Sequence, residues 1–176
     1  MAQPGMMPAA IAGILDRDLQ ALRREVEAYP DDRGLWQPVP GISNTAGTLV
    51  LHLTGNLQHY FGAVLAQTGY VRDRPAEFAR RDVPRAELLR QIDAARSAVR
   101  AGAAGLPDAE LAADYPEVIA GVRVATGDYL VHLTAHFAFH LGQLDYHRRV
   151  VTGNTSGIGA VRPAELSSAR PLEAGR

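Results

Sequence analysis

The stretch VHLTAHFAFHLGQL, residues 131–144, has the length and apolar composition of the middle of a long helix. Histidines recur in it every four residues, at His132, His136 and His140. Residues four apart lie on one face of a helix, so these imidazoles would form a polar stripe on an otherwise apolar surface. We expect this helix to run from about residue 126 or 127 to residue 151, because Gly153 then provides a C-terminal stop.

Three further segments carry the spacing of three and four apolar residues that is typical of helices packed on a core. They cover about residues 9–29, 44–67 and 82–105, the last beginning at 82 or 83. The short stretch VRV at residues 122–124 is the one candidate for a very short strand. Four helices with so little strand signal predict an all-α four-helix bundle, with a less regular helical array as the alternative.

The composition is that of a soluble protein with one core. The chain has 176 residues, of which 47% are apolar and 21% are charged, and this suits a single domain. We expect the bundle to occupy residues 1–152. Residues 153–176 are rich in glycine, serine and proline and are expected to form a mobile tail or a strap on the surface.

Several classes of function are excluded or disfavoured by the same counts. The net charge of −1 gives no basic surface for nucleic acid or for an anionic membrane. All 18 basic residues are arginine and cysteine is absent, which excludes lysine Schiff bases, disulfides and thiolate metal sites within the chain. We found no signal peptide and no apolar run of membrane-spanning length, so a cytoplasmic location is expected.

The histidine stripe predicts a metal site, and geometry limits which residues can share one ion. Side chains eight residues apart on a helix are separated by about 12 Å along its axis, so one ion can take either His132 with His136 or His136 with His140. A third ligand must come from another helix. His52, flanked by leucines in LVLHLTGN, is the natural candidate, and His59 is the alternative.

The motif H-x-x-x-H-x-G-Q near the end of the last long helix, with a histidine in the second helix, resembles the DinB-like (YfiT-like) superfamily. The resemblance covers about residues 8–152, and LWQPVPGISNTAGTLVLHLTGNLQHYFG is similar to an uncharacterised branch of it. It implies a four-helix bundle, often dimeric, with a solvent-open site for zinc or nickel. The ligands it implies are His52, His136 and His140, followed in the motif by Gly142 and Gln143.

A site with three histidine ligands leaves a fourth position for water or substrate, which is typical of catalytic metal sites. Two further side chains, Asn56 and Gln143, could hydrogen-bond the free ring nitrogens or line the pocket. Known superfamily activities include the transfer of low-molecular-weight thiols such as bacillithiol, and a mycothiol-dependent isomerase.

The resemblance therefore implies a metal-dependent transferase that joins a low-molecular-weight thiol to a small electrophile, or a hydrolase of a small substrate. The alternatives are a non-catalytic metal- or ligand-binding protein with a stress-response role, and a metal-free structural dimer. The stretch GNTSGIG at residues 153–159 is expected near the rim of the metal site or a partner subunit.

Overall fold

A computed structural model describes residues 5–172 of the chain. Residues 1–4, at the start of the expected bundle, and residues 173–176, at the end of the expected tail, lie outside the described residues. The described part is helical and contains no β-strand, which confirms the all-α prediction. Its α-helices are α1 Met6–Glu27, α2 Ala46–Leu57, α3 Arg74–Ala79, α4 Arg85–Ala104 and α5 Thr126–Thr152.

The four long helices pack around one core in which leucine is the commonest residue. Helix α1 packs on α4 and α5, and α2 packs on the same two helices. Full burial of one such side chain stabilises the fold by about 1.5–3 kcal/mol. Core residues from all four helices are completely buried, among them Leu15, Leu19, Leu22, Val50, Leu88, Ile92, Leu130 and Leu144.

Helix α2 differs from the expected helix at both ends. It begins after Thr45, whose hydroxyl accepts a hydrogen bond from the backbone N–H of Thr48 at 3.3 Å, as an N-cap residue does. It then continues without a break as a π-helix, Gln58–Leu65. Segments of π-helix are rare and are frequent at functional sites. Gly102 lets α4 approach this segment closely, because a Cβ there would lie 2.5 Å from the carbonyl oxygen of Phe61.

The expected strand at residues 122–124 is wrong for the described chain. Only isolated bridges occur here, between Ile119 and Val122 and between Asp114 and Ala125. The reason is a two-residue turn: Ala120 and Gly121 both have positive φ, 49° and 86°. This is the sign that a tight hairpin turn requires, and the chain reverses at once without extending the pairing.

Residues 154–165, after α5, lie as a strap along α1 and α5. The Arg148 guanidinium donates to the carbonyl oxygen of Ser156 at 3.0 Å, and Arg24 donates to that of Ile158 at 3.2 Å. Ile158 and Ala160 pack against the core. No helix among residues 5–172 is long and apolar enough to span a bilayer.

Candidate metal centre

The structure brings His52, His136 and His140 together between α2 and α5. The centroids of their rings are 5.2 Å apart for His52 and His136, 5.4 Å for His52 and His140, and 4.6 Å for His136 and His140. One nitrogen from each ring lies within 4.8 Å of the others. His52 is buried, whereas the two rings from α5 are half-buried and face the opening of the site.

A carboxylate from α3 fixes the ring of His52. Glu77 is 6% exposed, and its Oε2 lies 3.0 Å from Nδ1 of His52. An ionised carboxylate can only accept, so Nδ1 carries the proton and Nε2 presents its lone pair to the cluster. Carboxylates that orient a metal-binding imidazole in this way are a recurrent feature of metal sites.

The carboxylate of Glu77 is itself held in place from two sides. Arg72 donates from Nε to Oε1 at 2.7 Å and from Nη2 to Oε2 at 2.9 Å, a bidentate ion pair. Gly55 of α2 leaves the space that the carboxylate occupies, since a Cβ there would lie 2.3 Å from Oε1. The relay from Arg72 through Glu77 to His52 therefore depends on a glycine one turn after the histidine.

Gln143 orients the ring of His140, as Glu77 orients the ring of His52. Its Oε1 accepts a hydrogen bond from Nδ1 of His140 at 2.7 Å, which leaves Nε2 of that ring free. The Nε2 atoms of His52 and His136 are 3.3 Å apart. Asn56 is buried. One of its two expected roles was a hydrogen bond to the free ring nitrogen of His52, but Glu77 makes that bond instead. The other expected role of Asn56, lining the pocket, stays a prediction.

The remaining histidines lie outside the cluster. His132 is exposed and stacks on His136 with ring centroids 6.1 Å apart. His59 is bound to Glu117, with Nε2 and Oε2 2.8 Å apart. His147 is fully buried between the hydroxyl of Tyr29 and a backbone carbonyl. Among residues 5–172, only His52, His136 and His140 form a group that could hold a metal ion.

The electrostatics favour the neutral form of His136 and His140 and the charged form of the Glu77 carboxyl. Burial, followed by the nearby charges of His140 and His52, lowers the pKa of His136 to about 4. Burial also lowers the pKa of His140. Burial alone would raise the pKa of Glu77, but hydrogen bonds from His52 and Arg72 outweigh it and hold that pKa below its ordinary value. Neutral imidazoles are the form that binds a metal.

The donor set fits a divalent ion such as zinc. Two ligands on a tetrahedral zinc ion, each about 2.0–2.1 Å from the metal, lie roughly 3.3–3.4 Å from each other. The two Nε2 atoms of His52 and His136 are 3.3 Å apart. The proton on Nδ1 of His52 and of His140 leaves the inward nitrogens as acceptors. Three protein ligands would leave a fourth position on such an ion for water or substrate.

Sequence reasoning missed Glu77 and Arg72. The segment YVRDRPAEFARRD, residues 70–82, was not assigned to any helix, because six residues are too few to show a helical period. A start signal was nevertheless present: Asp73 precedes a proline and caps α3, with Oδ1 accepting from the N–H of Ala76 at 2.9 Å. That signal predicts a helix start and would have directed attention to Glu77.

The model of one protein family, described as Mycothiol-S-transferase, matches residues 10–153. The chain belongs to the mycothiol-S-transferase family. This is a DinB-like family, so the resemblance seen in the sequence is confirmed. No curated protein and no solved structure matches the chain. The membership of the family indicates a thiol as substrate, and in this mycothiol-S-transferase family member the histidine cluster is compatible with a metal site.

Proposed function

We propose that this protein is a metal-dependent transferase that joins a low-molecular-weight thiol to a small electrophile. The observation that carries the proposal is the convergence of His52, His136 and His140, two of them partly exposed, between α2 and α5, in a chain of the mycothiol-S-transferase family. His52, His136 and His140 would hold the ion. Zinc or nickel is proposed, because imidazole ligands suit both metals. A homodimer and a cytoplasmic location also stay predictions.

The bound ion would supply Lewis acidity, which lowers the pKa of a thiol at the open coordination position. The residues of the chain supply the positioning. Glu77 and Gln143 keep the rings of His52 and His140 in fixed orientations. The stacked ring of His132 forms one side of the opening next to His136. A site held on rigid helices in this way reduces the reorganisation needed when the reactants bind.

The reaction is a substitution or an addition at carbon. The thiol loses its proton to bulk water, which reaches the site because His136 and His140 are only half-buried. The sulfur then forms a bond to the electrophilic carbon. In a substitution, the electron pair of the broken bond leaves with the departing group; in an addition or an epoxide opening, that pair stays on the product and takes up a proton from water. The chain contains no cysteine, so the sulfur that becomes alkylated belongs to the substrate.

The assay uses mycothiol with bromobimane, an alkylating agent that becomes fluorescent when a thiol displaces its bromide. Protein carrying one equivalent of zinc is expected to raise the initial rate well above the rate without protein. His136→Ala should abolish the increase, whereas His132→Ala, the matched change one turn earlier, should keep most of it. Zinc-loaded protein that leaves the rate unchanged with this and other alkylating agents, yet cleaves a small ester, would favour a hydrolase. Loaded protein with neither activity would favour the non-catalytic metal-binding alternative.

A further inference from the structure

A cavity of about 370 Å³ opens beside the histidine cluster, at the N-terminal end of α5. Ile119, Val122 and Val124 line it on the side of the loop that precedes α5. Asp128, Tyr129 and His132 line it on the side of the helix. We call this cavity the loop pocket.

The loop pocket adjoins the candidate metal centre through the ring of His132. The ring of His132 lies 6.1 Å from the ring of His136, and the planes of the two rings are inclined by only 26°. On its other side, the same ring stacks on Tyr129 at 5.8 Å. A molecule that reaches the open side of the metal centre can therefore extend along His132 into the loop pocket without leaving the surface of α5.

The walls of the loop pocket are apolar and firmly held. Its loop side consists of aliphatic side chains and Ala120. The tight turn at Ala120 and Gly121 fixes that loop, with hydrogen bonds of 2.9 Å in both directions between Ile119 and Val122. Tyr129 is packed edge-on against Tyr60 and Tyr115, with ring centroids 5.0 Å and 4.8 Å away. A preformed apolar cavity of this kind binds apolar groups with little cost of ordering.

A second cavity, beyond His140 along α5, is more polar than the loop pocket, although Ile42 and Leu49 also line it. It measures about 420 Å³ and lies between α5 and the loop before α2. Its lining includes Ser43, Asn44, Gln143 and Tyr146, side chains that offer hydroxyl and amide groups for hydrogen bonds. We call this second cavity the polar cavity. The loop pocket is the more apolar of the two, so an apolar group would favour it.

We propose that the loop pocket binds the hydrocarbon part of the electrophilic substrate and so selects electrophiles that carry an aliphatic chain or an aromatic ring. That the bound molecule is a substrate depends on the function proposed above. The affinity of the pocket for apolar groups rests on its own lining. Extending the hydrocarbon part of an electrophile should therefore lower KM, and the polar cavity should not contribute to that effect.

The first test uses metal-free protein without any thiol, and benzyl alcohol as the probe. In a ¹H–¹⁵N NMR titration, the amides of residues 119–124 and 128–132 should shift. Val122→Asp places a charge in the pocket and should weaken binding at least fivefold. Val118→Asp is the matched control in the same loop, outside the pocket, and should change the affinity less than twofold. The two valines are similarly exposed, at 56% and 53%, so both variants should fold.

Shifts centred on the polar cavity, or equal losses from the two variants, would overturn the proposal. The second test compares 1,2-epoxyhexane with 1,2-epoxypropane as electrophiles for the zinc-loaded protein. Val122→Asp should raise KM for the longer epoxide only, and equal KM values for the two epoxides in the unchanged protein would also overturn it. If the probe binds as described but no thiol is transferred, the loop pocket stands as a site for apolar groups and the proposed transferase function fails.

Discussion

Replacing Glu77 with glutamine tests whether the carboxylate on α3 sets the metal affinity of the histidine cluster. Both carboxylate oxygens are engaged: Oε1 accepts from Arg72, and Oε2 accepts from both Arg72 and His52. In Glu77→Gln one oxygen becomes an NH₂ group. Whichever position that group takes, it meets an N–H donor, so at least one of the three hydrogen bonds is lost together with the negative charge.

The size of the effect follows from the role of the carboxylate. Loss of a group that orients a metal-binding imidazole costs about 10- to 100-fold in metal affinity, or about 1.4–2.7 kcal/mol. Glu77→Gln should therefore weaken zinc binding by at least tenfold. The measurement is a competition titration of purified protein against a chromophoric zinc chelator at pH 7.

Two further variants keep this test decisive. Glu117→Gln is the matched control, because Glu117 makes the same kind of bond to His59, at 2.8 Å, away from the cluster. It should leave zinc affinity within twofold of the unchanged protein. Gly55→Ala alters neither Glu77 nor His52, but its methyl group would collide with Oε1 of Glu77 and should also weaken binding. A role of Glu77 in metal affinity is refuted if Glu77→Gln folds, as judged by circular dichroism, and retains its zinc affinity. It is also refuted if Glu117→Gln loses as much zinc affinity as Glu77→Gln.

Two other predictions concern the histidines themselves. His136→Ala should abolish metal retention during gel filtration, while His132→Ala should largely spare it, because only the former lies in the cluster; equal losses would show that the wrong pair was chosen. Burial lowers the pKa of His136 to about 4 and also lowers the pKa of His140 and His147, whereas an unfolded histidine titrates near about 6.5. At these three histidines the unfolded chain therefore binds more protons below that pH, whereas Glu25, whose pKa burial raises to about 7, acts in the opposite direction. Because three histidines oppose one carboxyl group, the urea midpoint of metal-free protein should fall as pH decreases from 7 to 4.5; an unchanged midpoint would contradict this.

The positions of the long helices could be predicted from apolar spacing alone, and the structure confirms the all-α fold class. Spacing could not predict the π-helix Gln58–Leu65, because its side chains differ little from those of an ordinary helix. It also could not distinguish His132 from His140 as the partner of His136. That choice depends on where α2 places His52 along α5, which is a matter of helix packing and not of local sequence.

The side chains that orient the histidines were harder to predict from the sequence than the histidines themselves. Gln143 is three residues after His140, so a bond between them is within reach on one helix face. Glu77 is 25 residues from His52, in a helix of only six residues, and no local pattern joins the two. The stretch at residues 153–159 was expected at the metal rim or a partner subunit. Its described contacts include Arg24, Arg148 and Arg149, and a role at a partner stays a prediction.

X-ray absorption spectroscopy of the protein loaded with one equivalent of zinc shows which side chains hold the ion. We expect a four-coordinate ion with three imidazole nitrogens at about 2.0–2.1 Å and one further light ligand. His52→Ala, which removes the contribution of α2, should reduce the imidazole count. Zinc bound by fewer than three imidazoles in the unchanged protein, or no stoichiometric binding, would contradict the claim that His52, His136 and His140 hold one metal ion.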